Sequence, residues 1–348
     1  MKDRVAPYLK HVLDDLVFLE FTPEYISKRA RINFMAGVPV PVKKELLARF
    51  AGGEGLDYEQ ITEAMVTVMG ADPGFRHNAR YAEFMRQFNP RILKQVVKKG
   101  VDHAEDEEYL EAALHLRAAL YLDENSLDAV YNYARVCRQL YLNQEGSGDP
   151  DYVMTFKTEA FEFFQATTLK HPRFAQAYYF LGYAFLNAGK YRKAEEAWQA
   201  FLKRSRNLQD RKEIRTRLEQ LKEPMVIEEG CDLVMAGKWK EGLALLEPYK
   251  TSSFEKWWPL SYYLGVAYSR LGNKQEAIVM LKRVLSLTAS HVESMQELAA
   301  LYQSLGDKEN EEKYANKAKL ILDQRREEAM ESPQAKGSQK KKKIRLVK

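Results

Sequence analysis

Cysteine is nearly absent from this 348-residue chain: Cys137 and Cys231 are the two that occur, and neither belongs to a CxxC pair. That excludes a disulfide framework and a thiolate metal knuckle, and it reads as two small buried hydrophobes in a reducing compartment. The signatures of catalysis are missing too. There is no GxSxG and no HExxH, and Gly52-Gly53-Glu54-Gly55 lacks the GKS or GKT ending of a phosphate loop. The histidines, His11, His77, His103, His115, His171 and His291, are scattered and stand at no ligand spacing from a cysteine. His103 sits among Asp102, Glu105, Asp106, Glu107 and Glu108, which read as an acidic helix N-terminus favoured by the dipole rather than as a metal patch. No enzymatic activity, cofactor or metal ion is expected. A long apolar run is also lacking. The opening MKDRVAPYLKHVLDDLVFLEF is broken by Lys10, His11, Asp14 and Asp15, which predicts an amphipathic helix and neither a signal peptide nor a membrane span. Cytoplasm is the default location.

What the chain does have is the composition of a folded protein, 45% hydrophobic and 30% charged. Its net charge of +5 is unevenly placed. Residues 333–348 carry Lys336, Lys340, Lys341, Lys342, Lys343, Arg345 and Lys348 with no acid, so the body without them is slightly acidic, at −2. The most telling feature is an echo at a spacing of 34. Leu264-Gly265, Tyr268, Leu271-Gly272, Ala277 and Leu281 recur as Leu298-Ala299, Tyr302, Leu305-Gly306, Glu311 and Ala315. Two helical patterns per period mark a stack of helical hairpins, in which each unit buries its apolar face only against its neighbours. Gly265 and Ala277 stand where paired helices must approach closely, and Gly272 where a left-handed residue ends the first helix.

The same scheme appears in residues 175–208, with Leu181-Gly182, Phe185, Gly189, Ala194, Trp198 and Phe201, and in 223–257, with Gly230, Leu233, Gly237, Gly242 and Leu246. These residues resemble the tetratricopeptide repeat, whose pattern runs W-x2-L-G-x2-Y and then A-x3-F. A further unit starts at Leu127, with Tyr133-Ala134 and Cys137 facing Ala160, Phe164 and Thr167, and a faint one starts near Leu93. Glu311 departs from the pattern, replacing the small contact residue of the last unit. The resemblance covers about residues 93–325 and implies an all-α, right-handed superhelical solenoid of hairpins. It is preceded by a helical N-terminal region, 1–92, and followed by a disordered basic tail, 326–348.

Two units run 14 residues over the period. In 127–174 the excess lies between the helices at LNQEGSGDPDY, where Gly146, Gly148 and Asp149-Pro150 predict a projecting loop. In the next unit it follows the second helix as NLQDRKEIRTRLEQLKE, a charged spacer helix lying on the stack. Within 1–92, Thr22-Pro23-Glu24 and Asn89-Pro90 read as helix starts, GVPVPV at 37–42 and AGGEG at 51–55 as breaks, and LDYEQITEAMVTVMG as a helix, for about five helices in all.

In tetratricopeptide proteins the first helix of each pair lines the concave face, where partner peptides commonly lie. The resemblance thus implies a non-catalytic scaffold or adaptor whose groove binds a protein or peptide. The places on that face hold Tyr131, Tyr179 and Tyr262 at one repeat position, Arg135 and Tyr183 at the next, and Arg138 beyond. Trp258, beside Trp257, joins them as a contact residue. Tyrosine suits a groove, with wide apolar contact and a hydroxyl at low entropy cost, and it suits plain packing between hairpins equally well. Some members of the family grip a carboxylate of chaperones with lysine, asparagine and arginine at such places. This chain has tyrosines and aliphatics there, so that function is not carried over. The alternative is a ribosome- or nucleic-acid-associated factor whose Lys340, Lys341, Lys342, Lys343 and Arg345 touch RNA, DNA or anionic membrane, weakly and with steep salt dependence. An active site in 1–92 would need a cleft joining Arg76, His77, Arg80 and Glu83.

Overall fold

A computed structural model of the protein describes residues 3–28, 30–47, 57–146 and 148–331. The glycine-rich 51–55 and the lysine tail, with Lys340, Lys341, Lys342, Lys343 and Arg345, lie outside the described residues. Two compact units result: residues 1–189 with 193–214, and residues 190–192 with those from 215 onward.

The first 47 residues depart from the helical expectation. A single turn, α1 (Ala6–Leu9), and a 3-10 segment, Lys10–Asp15, lead into β1 (Leu16–Leu19). After the short α2 (Pro23–Ser27), starting as Thr22-Pro23 predicts, β2 (Val40–Lys43) pairs antiparallel with β1 in the register Leu16↔Lys43 to Leu19↔Val40. The opening is therefore not one amphipathic helix. Four consecutive apolar residues at 16–19 cannot form a one-sided helical stripe, whereas as a strand they pair with Val40–Lys43, Leu16 buried at one end of the ladder and Phe18 44% exposed with its ring 6.0 Å from that of Phe75. The extended GVPVPV supplies the partner strand and buries Val40 and Val42.

From residue 57 the chain is helical, and it is all-α apart from that ladder among the described residues. Helix α3 (Tyr58–Ala71) begins with a capping box in which Asp57 accepts from the Gln60 backbone at 2.8 Å and Gln60 returns the bond at 3.2 Å. Helix α4 (Asn78–Phe88) follows. Hairpins then succeed one another: α5 (Ile92–Glu105) with α6 (Tyr109–Leu122), α7 (Leu127–Gln144) with α8 (Pro150–Lys170), and α9 (Ala175–Asn187) with α10 (Tyr191–Arg204). The single helix α11 (Leu208–Gln220) precedes α12 (Lys222–Met235) with α13 (Trp239–Leu246), α14 (Trp258–Arg270) with α15 (Lys274–Leu287), and α16 (Val292–Leu305) with α17 (Lys308–Glu331). Small residues set the crossings as the 34-residue period predicts. A Cβ on Gly182 would lie 2.2 Å from the Trp198 indole, and one on Gly265 2.8 Å from Leu281. Gly272 takes φ +85° at the end of α14.

The excess of the 127–174 unit is a second departure. Most of it extends the two helices, to 18 and 21 residues, and the connection is confined to 145–149. Asp149 accepts from the Asp151 backbone at 3.0 Å with Pro150 in the first turn, so the Asp-Pro step starts a helix rather than holding open a loop. The added length is packed, not idle. Tyr152 meets Tyr8 edge-on at 5.0 Å, and Phe156 is fully buried beside it.

One core runs through the first unit from Val5 and Leu9 to Phe164, Leu181 and Ala197. Partly buried ion pairing fastens its start. Arg117 on α6, 6% exposed, donates from Nε to the Gly70 carbonyl at 2.6 Å and pairs with Asp3, while Arg4 grips Glu162 at 2.7 Å. The second unit has its own core, from Ile227 to Tyr314 and Ala318.

Candidate interaction surfaces

The residues expected in a groove fall into three settings. Tyr131, Arg135 and Arg138 share one face of α7. The Tyr131 ring packs edge-on against Phe174 at 4.7 Å, and burial pushes its hydroxyl up from the ordinary value. The Arg135 guanidinium lies 5.8 Å from the Tyr131 centroid, and that of Arg138 5.3 Å from the Phe180 centroid. Phe180 is supported from behind by Phe164, stacked at 5.1 Å. A cavity of about 210 Å³ opens beside the two arginines, with Asn132, Gln139, Phe180 and Glu105 in its wall. Among the described residues neither guanidinium has a carboxylate within ion-pair distance; Arg135 reaches Asn132 Oδ1 at 3.3 Å. Two cations are thus held over aromatic faces with hydrogen-bonding edges to spare.

Tyr179 and Tyr183, one turn apart on α9, are engaged within the chain. Both hydroxyls donate to the Glu213 carboxylate of α11, Tyr179 at 3.1 Å and Tyr183 in a shorter bond, and Gln176 donates to Asp210 one turn away at 3.0 Å. Their rings meet each other at 5.2 Å and stand against Phe201 and Trp198. Burial, followed by the neighbouring Tyr183 and Glu213, raises the Tyr179 hydroxyl well above its ordinary value, so that phenol stays a protonated donor at neutral pH. The charged spacer helix does lie on the stack, and it occupies these two hydroxyls. Sequence periodicity locates the tyrosines but offers no signal for Glu213.

In the second unit, Trp258 and Tyr262 on α14 converge on His291, the N-cap of α16, at ring separations of 4.5 Å and 5.0 Å. His291 Nδ1 accepts from the Ser294 backbone at 3.1 Å, and burial, with Arg325, lowers its basicity. The ring is therefore a neutral cap on which Trp258, 37% exposed, rests one face. Cys137 and Cys231 are buried free thiols; burial pushes the Cys231 thiol up to about 12, so neither is an activated nucleophile. Arg80 and Glu83 form an exposed pair within one helix turn, at 3.1 Å. No helix among the described residues is long and apolar enough to cross a membrane.

The tetratricopeptide repeat model matches residues 175–208 and 261–291. Those segments coincide with α9–α10 and α14–α15, so the chain carries tetratricopeptide repeats at these two hairpins. No more specific family is defined by the match. No curated protein sequence matches the chain. Among solved structures it is similar to the tetratricopeptide domain of P58(IPK), at 15% identity over 82% of this chain and 76% of that one, with a TM-score of 0.49. It is similar also to pilF of Pseudomonas aeruginosa, at 14% identity over 72% and 97% with a TM-score of 0.33. YrrB, described as a repeat protein with an unusual peptide-binding site, shares 16% identity over 59% and 91%, with a TM-score of 0.27. The general role that goes with these repeats is protein–protein interaction.

Proposed function

We propose that the chain is a non-catalytic scaffold or adaptor that grips an acidic segment of a partner protein at Arg135 and Arg138. The observation that carries this reading is a pair of guanidiniums with no carboxylate partner among the described residues, propped on Tyr131 and Phe180 beside the cavity of about 210 Å³. Guanidinium forks suit a partner's aspartate or glutamate, and the ring faces suit an apolar or aromatic neighbour of that acid. Glu105 in the same wall offsets one positive charge and disfavours a uniformly acidic ligand, so the partner's acid should be flanked by apolar or neutral residues. Trp258 and Tyr262 offer a second, mainly apolar, contact in the other unit. Tyr179 and Tyr183 contact a partner only if it displaces Glu213, so they are secondary in this reading.

The test is fluorescence polarisation with labelled peptides that alternate acidic and aromatic residues, against lysine-substituted copies. Joint replacement of Arg135 and Arg138 by alanine should weaken binding by about 1–4 kcal/mol, the range of hot-spot contacts. Deleting 333–348 should change affinity mainly at low salt, because charges on a tail are screened over about 8–10 Å at physiological strength. Equal binding of the lysine-substituted peptides, or loss of binding at high salt on tail deletion, would defeat the proposal and favour the polyanion-binding tail.

A further inference from the structure

His103, set aside on sequence grounds, does not stand at an acidic helix N-terminus. Asp102 and Glu105 occupy the last turn of α5, where the dipole disfavours acids, and Glu108 precedes α6. The turn between the helices folds His103 over His115 of α6, with ring centroids 4.8 Å apart, and α3 brings Glu63 to the same place. One potential ligand atom from each of Glu63, His103 and His115 lies within 4.8 Å of the others.

The outer hydrogen bonds fix which ring nitrogens face inward. His115 Nδ1 lies 2.9 Å from the Glu111 main-chain carbonyl, against which it can only donate. His103 Nδ1 lies 2.6 Å from the Glu108 carboxylate and donates there. Each neutral ring therefore carries its lone pair on Nε2. This pairing of an inner nitrogen with an outer carbonyl or carboxylate is the arrangement that orients metal-binding imidazoles.

His115 is 4% exposed, and its Nε2 makes no hydrogen bond although Glu63 Oε1 is 2.8 Å away. Two acceptor atoms at that distance repel unless a cation lies between them. A proton on Nε2 makes the contact an ion pair, and a metal ion would take that proton's place. Ligands held 2.0–2.1 Å from a tetrahedral zinc-type ion sit about 3.3 Å apart, and the three candidate atoms lie within 4.8 Å of one another, near enough to close on one ion by small side-chain shifts. Lys99 Nζ holds the other carboxylate oxygen at 2.7 Å, leaving Oε1 as the single donor. The cluster opens onto a cavity of about 500 Å³ walled also by Thr67, Glu111 and Leu114, with room for solvent or a further ligand at the ion.

We propose that Glu63, His103 and His115 bind one divalent transition-metal ion of the zinc type. Two imidazoles with one carboxylate suit zinc, nickel or cobalt and are a poor match for calcium or magnesium. The ion ties α3, α5 and α6 together, so its binding raises the melting temperature of the first unit.

The test is calorimetric titration of Zn²⁺ into chelator-treated full-length protein, with Co²⁺ absorption as a second readout. One equivalent should bind with Kd on the order of micromolar or tighter. His103→Ala and Glu63→Gln, each checked for native circular dichroism, should weaken it by about tenfold or more, and Glu108→Ala by about tenfold through loss of ring orientation. Lys99→Met should tighten it, by removing a competing cation. His171→Ala, on a distant surface, should change nothing. Absence of binding at about 100 μM Zn²⁺, or affinity that ignores both His103→Ala and Glu63→Gln, overturns the proposal. Affinity that falls equally with His171→Ala identifies unspecific surface binding and overturns it too.

Discussion

Gly70→Ala is the substitution by which the packing of the first unit can be judged. Gly70 lies seven residues, two turns, beyond Glu63 on the same face of α3, where α3 crosses α6. A Cβ there would sit 2.2 Å from the Leu114 carbonyl oxygen and 2.7 Å from its carbon. These are main-chain atoms, which no rotamer change can move aside. Ordinary contact is missed by roughly an ångström, so the helices must separate and loosen Met65, Met69, Leu116 and Ala119 around them. Overpacking of this kind costs about 1–3 kcal/mol, and the rigidity of the obstacle puts Gly70 at the upper end. Alanine recovers up to about 1 kcal/mol of helix propensity. The net expectation is a loss of about 2 kcal/mol, or a fall of about 4–8 °C in Tm. Circular dichroism melts would measure it, with faster hydrogen exchange in α3 and α6 locating the damage. The control is Gly74→Ala, whose Cβ meets nothing closer than Asp72 Oδ1 at 3.5 Å and should stay within about 0.5 kcal/mol of wild type. If the two variants melt alike, α3 and α6 do not cross as described.

Other expectations follow from the polar groups. Tyr179→Phe with Tyr183→Phe removes both donors to Glu213, which is only partly exposed; about 1 kcal/mol should be lost, less than the full range for charged hydrogen bonds. Hydrogen exchange should accelerate in α11, and unchanged protection there would show that Glu213 does not hold it. Glu159, 8% exposed, has its carboxyl raised above the ordinary 4.5 by burial, only partly offset by Tyr133, Arg4 and Arg117. A raised value favours the protonated form in the fold; that contribution is full below pH 4.5 and is lost as pH rises through the raised value. Glu159→Gln, which mimics the protonated form, should therefore gain on wild type in urea unfolding as pH goes from about 4 to 7. A pH-independent difference would contradict the burial argument.

The hairpins were legible in the sequence because their determinants are local and repeat. Leu264 and Tyr268 recur 34 residues on as Leu298 and Tyr302, Gly182 and Gly265 hold the same place in their own units, and close helix crossing admits few other residues at the glycine positions. The helix starts at Thr22-Pro23 and Asn89-Pro90 are equally local; Asn89 Oδ1 accepts from the Arg91 backbone two residues on, at 2.9 Å. The places on α7, α9 and α14 that hold the aromatic and arginine side chains followed from the same periodicity.

What lay beyond the sequence depended on pairings between distant residues. Leu16–Leu19 became a strand because Val40–Lys43 was available to pair with it, and a four-residue apolar run carries no period to announce that. The extra length near Asp149-Pro150 went into helix because Tyr8 offered Tyr152 a surface to bury against. Glu213 reached Tyr179 and Tyr183 across a connection whose charges look like those of any solvated helix. Glu63, His103 and His115 are spaced 40 and 12 apart, at no motif spacing, and meet only because Gly70 lets α3 lie against α6 while the turn after α5 doubles back. Sequence decides which residues recur along a face; which faces and ends come together is set by close packing, whose outcome depends on the whole core at once.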